Sequence, residues 1–162
     1  MDAKLKPSAE VLVVRVAEGE KDDVSHRLAR LGAVEDLKGG LLLLRAHVAP
    51  KSPRENWRRA RKLMGADAFV QPALVGESGD GQYPTGEIAI RFHETQTDAY
   101  LKKFAKAHGL RLLKRNDYVP QQAAYQLDDA GSQYLPDLVS MLEQDEKVKS
   151  VWPDTLAHFK RA

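Results

Sequence analysis

The chain has 162 residues, 43% of them hydrophobic and 30% charged, with a formal net charge of +2. That length suits one medium domain or two small ones of about 75 residues each, and the mixture is that of a folding chain, not a disordered one. Cysteine is absent, which excludes disulfides, thiolate metal sites and cysteine nucleophiles, and no apolar run approaches the ~20 residues of a membrane helix, so no membrane insertion is expected.

The opening MDAKLKPSAEVLVV has no uninterrupted apolar h-region and no small-residue cleavage site. A cytoplasmic location is therefore expected, with export by a route lacking a classical signal peptide left open. Residues 1–80 carry 14 basic and 12 acidic side chains, and residues 81–162 carry 11 of each. That balance predicts no broad attraction to a phosphate backbone.

Along the chain one pattern occurs twice. Glu10–Val16 is an apolar strand candidate, and Asp22–Leu31 places Val24, Leu28 and Leu31 at helical spacing. Ala33–Leu37 reads as a short strand, Gly39-Gly40 as a turn, and Leu41–Val48 as a second strong strand. Ser52-Pro53-Arg54-Glu55 has the form of a capping box with proline at the first helical position. The helix it starts carries Trp57, Ala60 and Met64 on one face, and Gly65 stops it. A last strand begins at Ala68–Val70, and Pro72 is expected to end it.

The second copy opens on Glu87–Phe92, where Ile88, Ile90 and Phe92 alternate with Glu87, Ala89 and Arg91. Thr97–His108 is a helix with Tyr100, Leu101, Phe104 and Ala105 at helical spacing, stopped by Gly109. Strands follow at Leu110–Arg115 and Gln122–Leu127. A helix then carries Leu135, Leu138, Val139 and Leu142, and Val148–Trp152 closes the unit. The expected fold class is α+β: tandem ferredoxin-like βαββαβ domains, each a four-stranded antiparallel sheet with two helices on one face. The expected division is 1–75 for the first domain, 76–84 for a glycine-rich linker, 85–154 for the second domain and 155–162 for an extended tail. Val11–Val16 and Leu41–Leu44 are apolar on both faces. The side of the first sheet away from its helices must therefore pack on the second domain or meet a partner.

Catalytic motifs are missing. The histidines form no H-E-x-x-H or other close metal pattern, no serine lies in G-x-S-x-G, and the glycines at 76, 79 and 81 lack dinucleotide-binding spacing. No enzyme activity, metal or cofactor is expected. RNA-binding modules share the βαββαβ order but stack bases on aromatic side chains of the central strands. Leu41–Arg45 offers none and Ala123–Leu127 offers only Tyr125, so no nucleic acid partner is expected, and the basic helix with Arg54, Arg58, Arg59, Arg61 and Lys62 reads as a solvated face.

Three stretches of the second half carry a family likeness. Pro84–Phe92, Tyr100–Leu110 and Leu142–Asp154 together resemble the propeptide domain of subtilisin-like serine proteases, including those of fervidolysin-like enzymes. The resemblance implies an inhibitor or folding chaperone whose partner is a subtilisin-like serine protease; the alternative expectation is a protein-interaction or small-ligand regulatory module with ferredoxin-like domains. The resemblance implies docking through the open sheet face carrying Ala89, Arg91 and either Tyr125 or its alternating neighbour Gln126. It also implies a product-like C-terminal segment in the substrate cleft, with Leu156, Phe159, Lys160, Arg161 and Ala162 as contacts. Ala162 at P1 places Phe159 at P4; the alternative register places Phe159 at P1 and Leu156 at P4. Because the chain ends at Ala162 with no catalytic domain after it, either a freestanding inhibitor or an excised prodomain is expected. The first half is not part of the usual single-domain propeptide arrangement.

Overall fold

Both copies of the pattern fold as the apolar periodicity directs. The computed structural model describes residues 5–17, 19–38, 40–46, 52–64, 69–76, 79, 81–127 and 133–157. In the first unit β1 (Lys6–Arg15), α1 (Lys21–Leu28), β2 (Gly32–Lys38), β3 (Leu41–Ala46), α2 (Pro53–Met64) and β4 (Phe69–Val75) follow in order. The second comprises β5 (Gly81–Phe92), α3 (Asp98–Ala107), β6 (Leu110–Arg115), β7 (Gln122–Leu127), α4 (Leu135–Glu143) and β8 (Val148–Ala157). Within each unit the fourth strand pairs with the first, the first with the third and the third with the second, all antiparallel. This is the tandem ferredoxin-like arrangement, an α+β fold.

The units do not remain separate sheets. Leu74 and Val75 of β4 pair with Gln82 and Gly81 of β5, which joins all eight strands into one sheet. The segment expected to be linker through residue 84 is thus strand from Gly81 onward, and its glycines serve the tight connection between two paired strands. β5 bends at Gly86, whose φ of 97° suits a residue without Cβ, and its pairing with β8 shifts register between Pro84 and Ile88.

Local signals account for the helix ends. In α2 the Glu55 amide donates to Ser52 Oγ at 3.1 Å, the main-chain half of the capping box. In α3 the Tyr100 amide donates to Thr97 Oγ1 at 3.1 Å, and Gly109 leaves the helix at φ +65°. Pro72 does not end its strand. It lies opposite Leu12 within β4, whose other edge has no strand partner until Leu74, so its missing N–H breaks no ladder.

Two cores lie under the helices. Leu12, Val14, Leu28, Leu42, Leu44 and Val70 form the centre of one, with Leu31 and Trp57 only partly buried at its margin. Ile88, Ile90, Phe92, Leu101, Phe104 and Leu138 belong to the other. Each fully buried side chain of this size stabilises by about 1.5–3 kcal/mol relative to exposure.

The units are clasped along β4. Tyr134, at the start of α4, has no side-chain capping bond of its own. Instead the Leu135 amide donates to Gln71 Oε1 at 2.8 Å, and Gln71 Nε2 donates to Gln133 O at 2.6 Å. A glutamine of the first unit thereby caps a helix of the second, and its side chain is fully buried there. On the helix side Arg54 makes a two-pronged bond to Asp137, both contacts 2.6 Å, with its guanidinium 4.7 Å from the Tyr134 ring centroid. Trp57 packs on Tyr134 at 5.0 Å and donates Nε1–H to Val70 O.

Candidate functional site

The two units treat their helix-free faces in opposite ways. In the first, Val11, Val13, Leu41, Leu43 and Ala73 form an apolar cluster with Tyr83 of β5. Val13 is 0% exposed and Leu43 2%, so this face is interior and offers no docking surface. Tyr83 is the second half's contribution to that cluster. Burial in that cluster pushes the Tyr83 phenol above its ordinary pKa.

The equivalent face of the second unit is open, and strand register arranges it in three rows. The central row runs Lys114, Ala124, Ala89, Trp152 across β6, β7, β5 and β8. One flanking row is Arg111, Gln126, Glu87 and the other Gln122, Arg91, Ser150. Two facing alanines therefore floor a shallow trough, with the Lys114 ammonium at one end and the Trp152 indole at the other. Arg91 lies with its guanidinium 5.5 Å from the Trp152 ring centroid and donates to Gln122 Oε1 at 3.1 Å. Arg111 donates to Gln126 Oε1 at 2.6 Å. With both glutamine carbonyls engaged by arginines, the amide N–H groups are the ones left to address a ligand. Three cations and one carboxylate, Glu87, occupy these rows, although Lys114 also pairs with Asp117 at 3.0 Å. Trp152 is 36% exposed. A flat indole beside a flat guanidinium suits another planar group.

The expected site residues divide. Ala89 and Arg91 are on the open face. Tyr125 is not: it is fully buried beneath α3, its ring 5.9 Å from Phe104 and its hydroxyl donating to Leu101 O at 3.4 Å. Desolvation pushes its phenol well above the ordinary tyrosine range. Gln126 takes the outward position. Leu156, expected in a free tail, lies within β8 opposite Tyr83, since the closing strand continues past Trp152 to Ala157. Phe159, Lys160, Arg161 and Ala162 lie outside the described residues.

Trp152, Gln122 and Arg111 are site residues that the sequence reading does not single out. Trp152 lies opposite Ala89 only because the β5–β8 pairing shifts between Val148 and Ser150; alternation counted from Val148 alone would turn it inward, so its sequence gives no clear signal. Among the described residues no group of His, Asp or Glu could hold a metal ion. No helix among them is long and apolar enough to cross a membrane.

No family model matches the chain, and no curated protein matches it. Among solved structures it is similar to a chain described as "Sxl-lethal protein/RNA complex", at 15% identity and a TM-score of 0.34, covering 91% of this chain and 100% of that one. Two expectations are corrected at this point. The protease-inhibitor expectation is not upheld: Tyr125, one of its two alternative docking residues, is buried beneath α3, and the segment from Thr155 begins as paired strand, with Thr155 and Leu156 opposite Pro84 and Tyr83. The exclusion of nucleic acid is withdrawn with it. That exclusion rested on the balance of charges and on the scarcity of central-strand aromatics, and it overlooked the edge-strand Trp152 and the guanidinium planes.

Proposed function

We propose that this chain binds single-stranded nucleic acid on the open face of β5–β8. The observation that carries the reading is Arg91 set against Trp152 at 5.5 Å on a solvent-facing sheet that also presents Arg111, Lys114, Gln122 and Gln126. Unpaired bases stack on indole and guanidinium planes and are read by side-chain amides, while cations neutralise the backbone. A duplex hides its base faces and has no such use for Trp152.

A second reading has its own support. The facing pair Ala89 and Ala124 leaves the centre of the sheet low, a shape that also accepts an apolar helix of a protein partner. The likeness of residues 84–154 to a propeptide domain stands as a proposal of descent, supported by the placement of its three stretches on β5, on α3 into β6, and on the end of α4 through β8.

Fluorescence anisotropy with labelled single-stranded RNA, single-stranded DNA and duplex tests the main reading. Single strands are expected to bind, with affinity falling steeply between about 50 and 200 mM salt. Arg111→Ala should weaken binding on all sequences and lower the salt slope by about one. Helix docking on the alanine trough would lack that salt dependence. Absence of single-strand binding, or binding indifferent to both Arg91→Ala and Arg111→Ala, would falsify the proposal.

A further inference from the structure

A cavity of about 340 Å³ lies where the two units meet, on the side of the sheet opposite the open face. Its origin is a break in strand pairing. β1 and β4 lose register between Pro7 and Leu12, where Ser8 Oγ instead accepts from the Glu10 and Val11 amides, both at 3.2 Å. The N-terminal end of β1 is thereby offset from the regular ladder, and Leu5 and Pro7 become one wall. Leu74 of β4 and Leu135 and Val139 of α4 supply the buried floor, and Pro153 of β8 closes the far side. The volume falls in the lower part of the range typical of small-molecule sites, and junctions between folding units are a common place for them.

The polar groups are confined to the mouth. Ser140, Glu143 and Gln144 are exposed there, one helical turn above the floor, and among the described residues of the lining Glu143 is the only charged one. The electrostatics point the same way from a second source. α1, α2 and α3 each have a basic residue in their last turn, whereas α4 has none and ends on Glu143. The partial negative charge of its C-terminal carbonyls is therefore left uncompensated by its own side chains, next to a carboxylate.

We infer that this cleft is a binding site for a small amphiphilic amine, its alkyl body against Leu74, Leu135 and Val139 and its ammonium at Glu143 and the end of α4. The site is independent of the nucleic-acid reading and shares no residue with the open face.

Calorimetric titration of the full chain with hexylamine, 1-hexanol and hexanoate tests it at neutral pH. The alkyl chain is common to all three, so their ranking isolates the head group. Hexylammonium should bind about fivefold tighter than hexanol, and hexanoate weakest. Glu143→Gln should reduce the amine to near the level of the alcohol while leaving hexanol unchanged. Ser140→Trp, an exposed change at the mouth, should block all three. Hexanoate binding as tightly as hexylamine, an amine preference that survives Glu143→Gln, or no saturable binding of any probe each overturns the assignment.

Discussion

The helix-free faces of the two units have the same topology and opposite chemistry. In the first, valine and leucine occupy both sides of β1 and β3, and Tyr83 arriving from β5 packs with the outer side in a buried cluster. In the second, β5 alternates strictly, placing Glu87, Ala89 and Arg91 outward while Ile88, Ile90 and Phe92 go inward. A continuous apolar strand needs cover on both faces; an alternating one can leave a face to solvent and to a ligand. The first unit therefore gives up its face to joining the units, and the second keeps its own free.

Equal substitutions on the two faces should break this symmetry most visibly. Val13→Asp places a carboxylate at a position with no exposure, while Ala89→Asp stands at a half-exposed position on the open face. Urea denaturation should show Val13→Asp losing at least about 4 kcal/mol, and Ala89→Asp staying within about 1 kcal/mol of the parent chain. Similar losses at both sites would mean that the faces are not different in kind.

Much of this was legible in the sequence, for identifiable reasons. Helices at 53–64 and 98–107 announce themselves by capping residues and apolar spacing of three and four, and the helix at 135–143 by its apolar spacing alone. Strand parity in Glu87–Phe92 is legible because large apolar and polar residues alternate without exception. Ala123-Ala124-Tyr125-Gln126-Leu127 alternates weakly, because alanine suits either face, and only pairing with β5 settles that Tyr125 points to the helices. The β4–β5 junction is hidden because Gly76–Gly81 has linker composition and only two residue pairs make the join. Gln71 gives no sign that it caps α4, since its partner lies more than sixty residues away.

That cap sharpens the comparison at the seam between the units. Gln71→Ala leaves the Leu135 amide and the Gln133 carbonyl without these partners in a buried setting. A loss of about 1–3 kcal/mol is expected, with faster amide exchange at Leu135 and Leu138. Gln71→Glu, which retains an acceptor for Leu135 but not a donor for Gln133, should recover protection at Leu135.

The smallest effect concerns the surface clasp. Bonding to Arg54 holds the Asp137 carboxyl below its ordinary range, and bonding to Arg115 does the same for Asp98. A carboxylate depressed in the folded state adds stability above its unfolded pKa of about 4, and that contribution disappears as pH falls through the lowered folded value. Both groups are largely exposed, so salt screens the gain. Carboxyl-carbon NMR titration should find Asp137 titrating below the ordinary aspartate value and returning to it in Arg54→Ala. An unchanged titration in that variant would remove the clasp from the account.

The open face itself is tested most directly by the fluorescence of Trp152 in a Trp57→Phe chain, where it is the sole tryptophan. Titration with a single-stranded oligonucleotide should quench that emission in a saturable manner, as bases stack on the indole, and rising salt should restore it. Arg91→Ala should weaken the transition, and duplex of the same sequence should leave the emission largely unchanged. A single strand that binds tightly with no change at Trp152 would place the site elsewhere and contradict the assignment of the β5–β8 face.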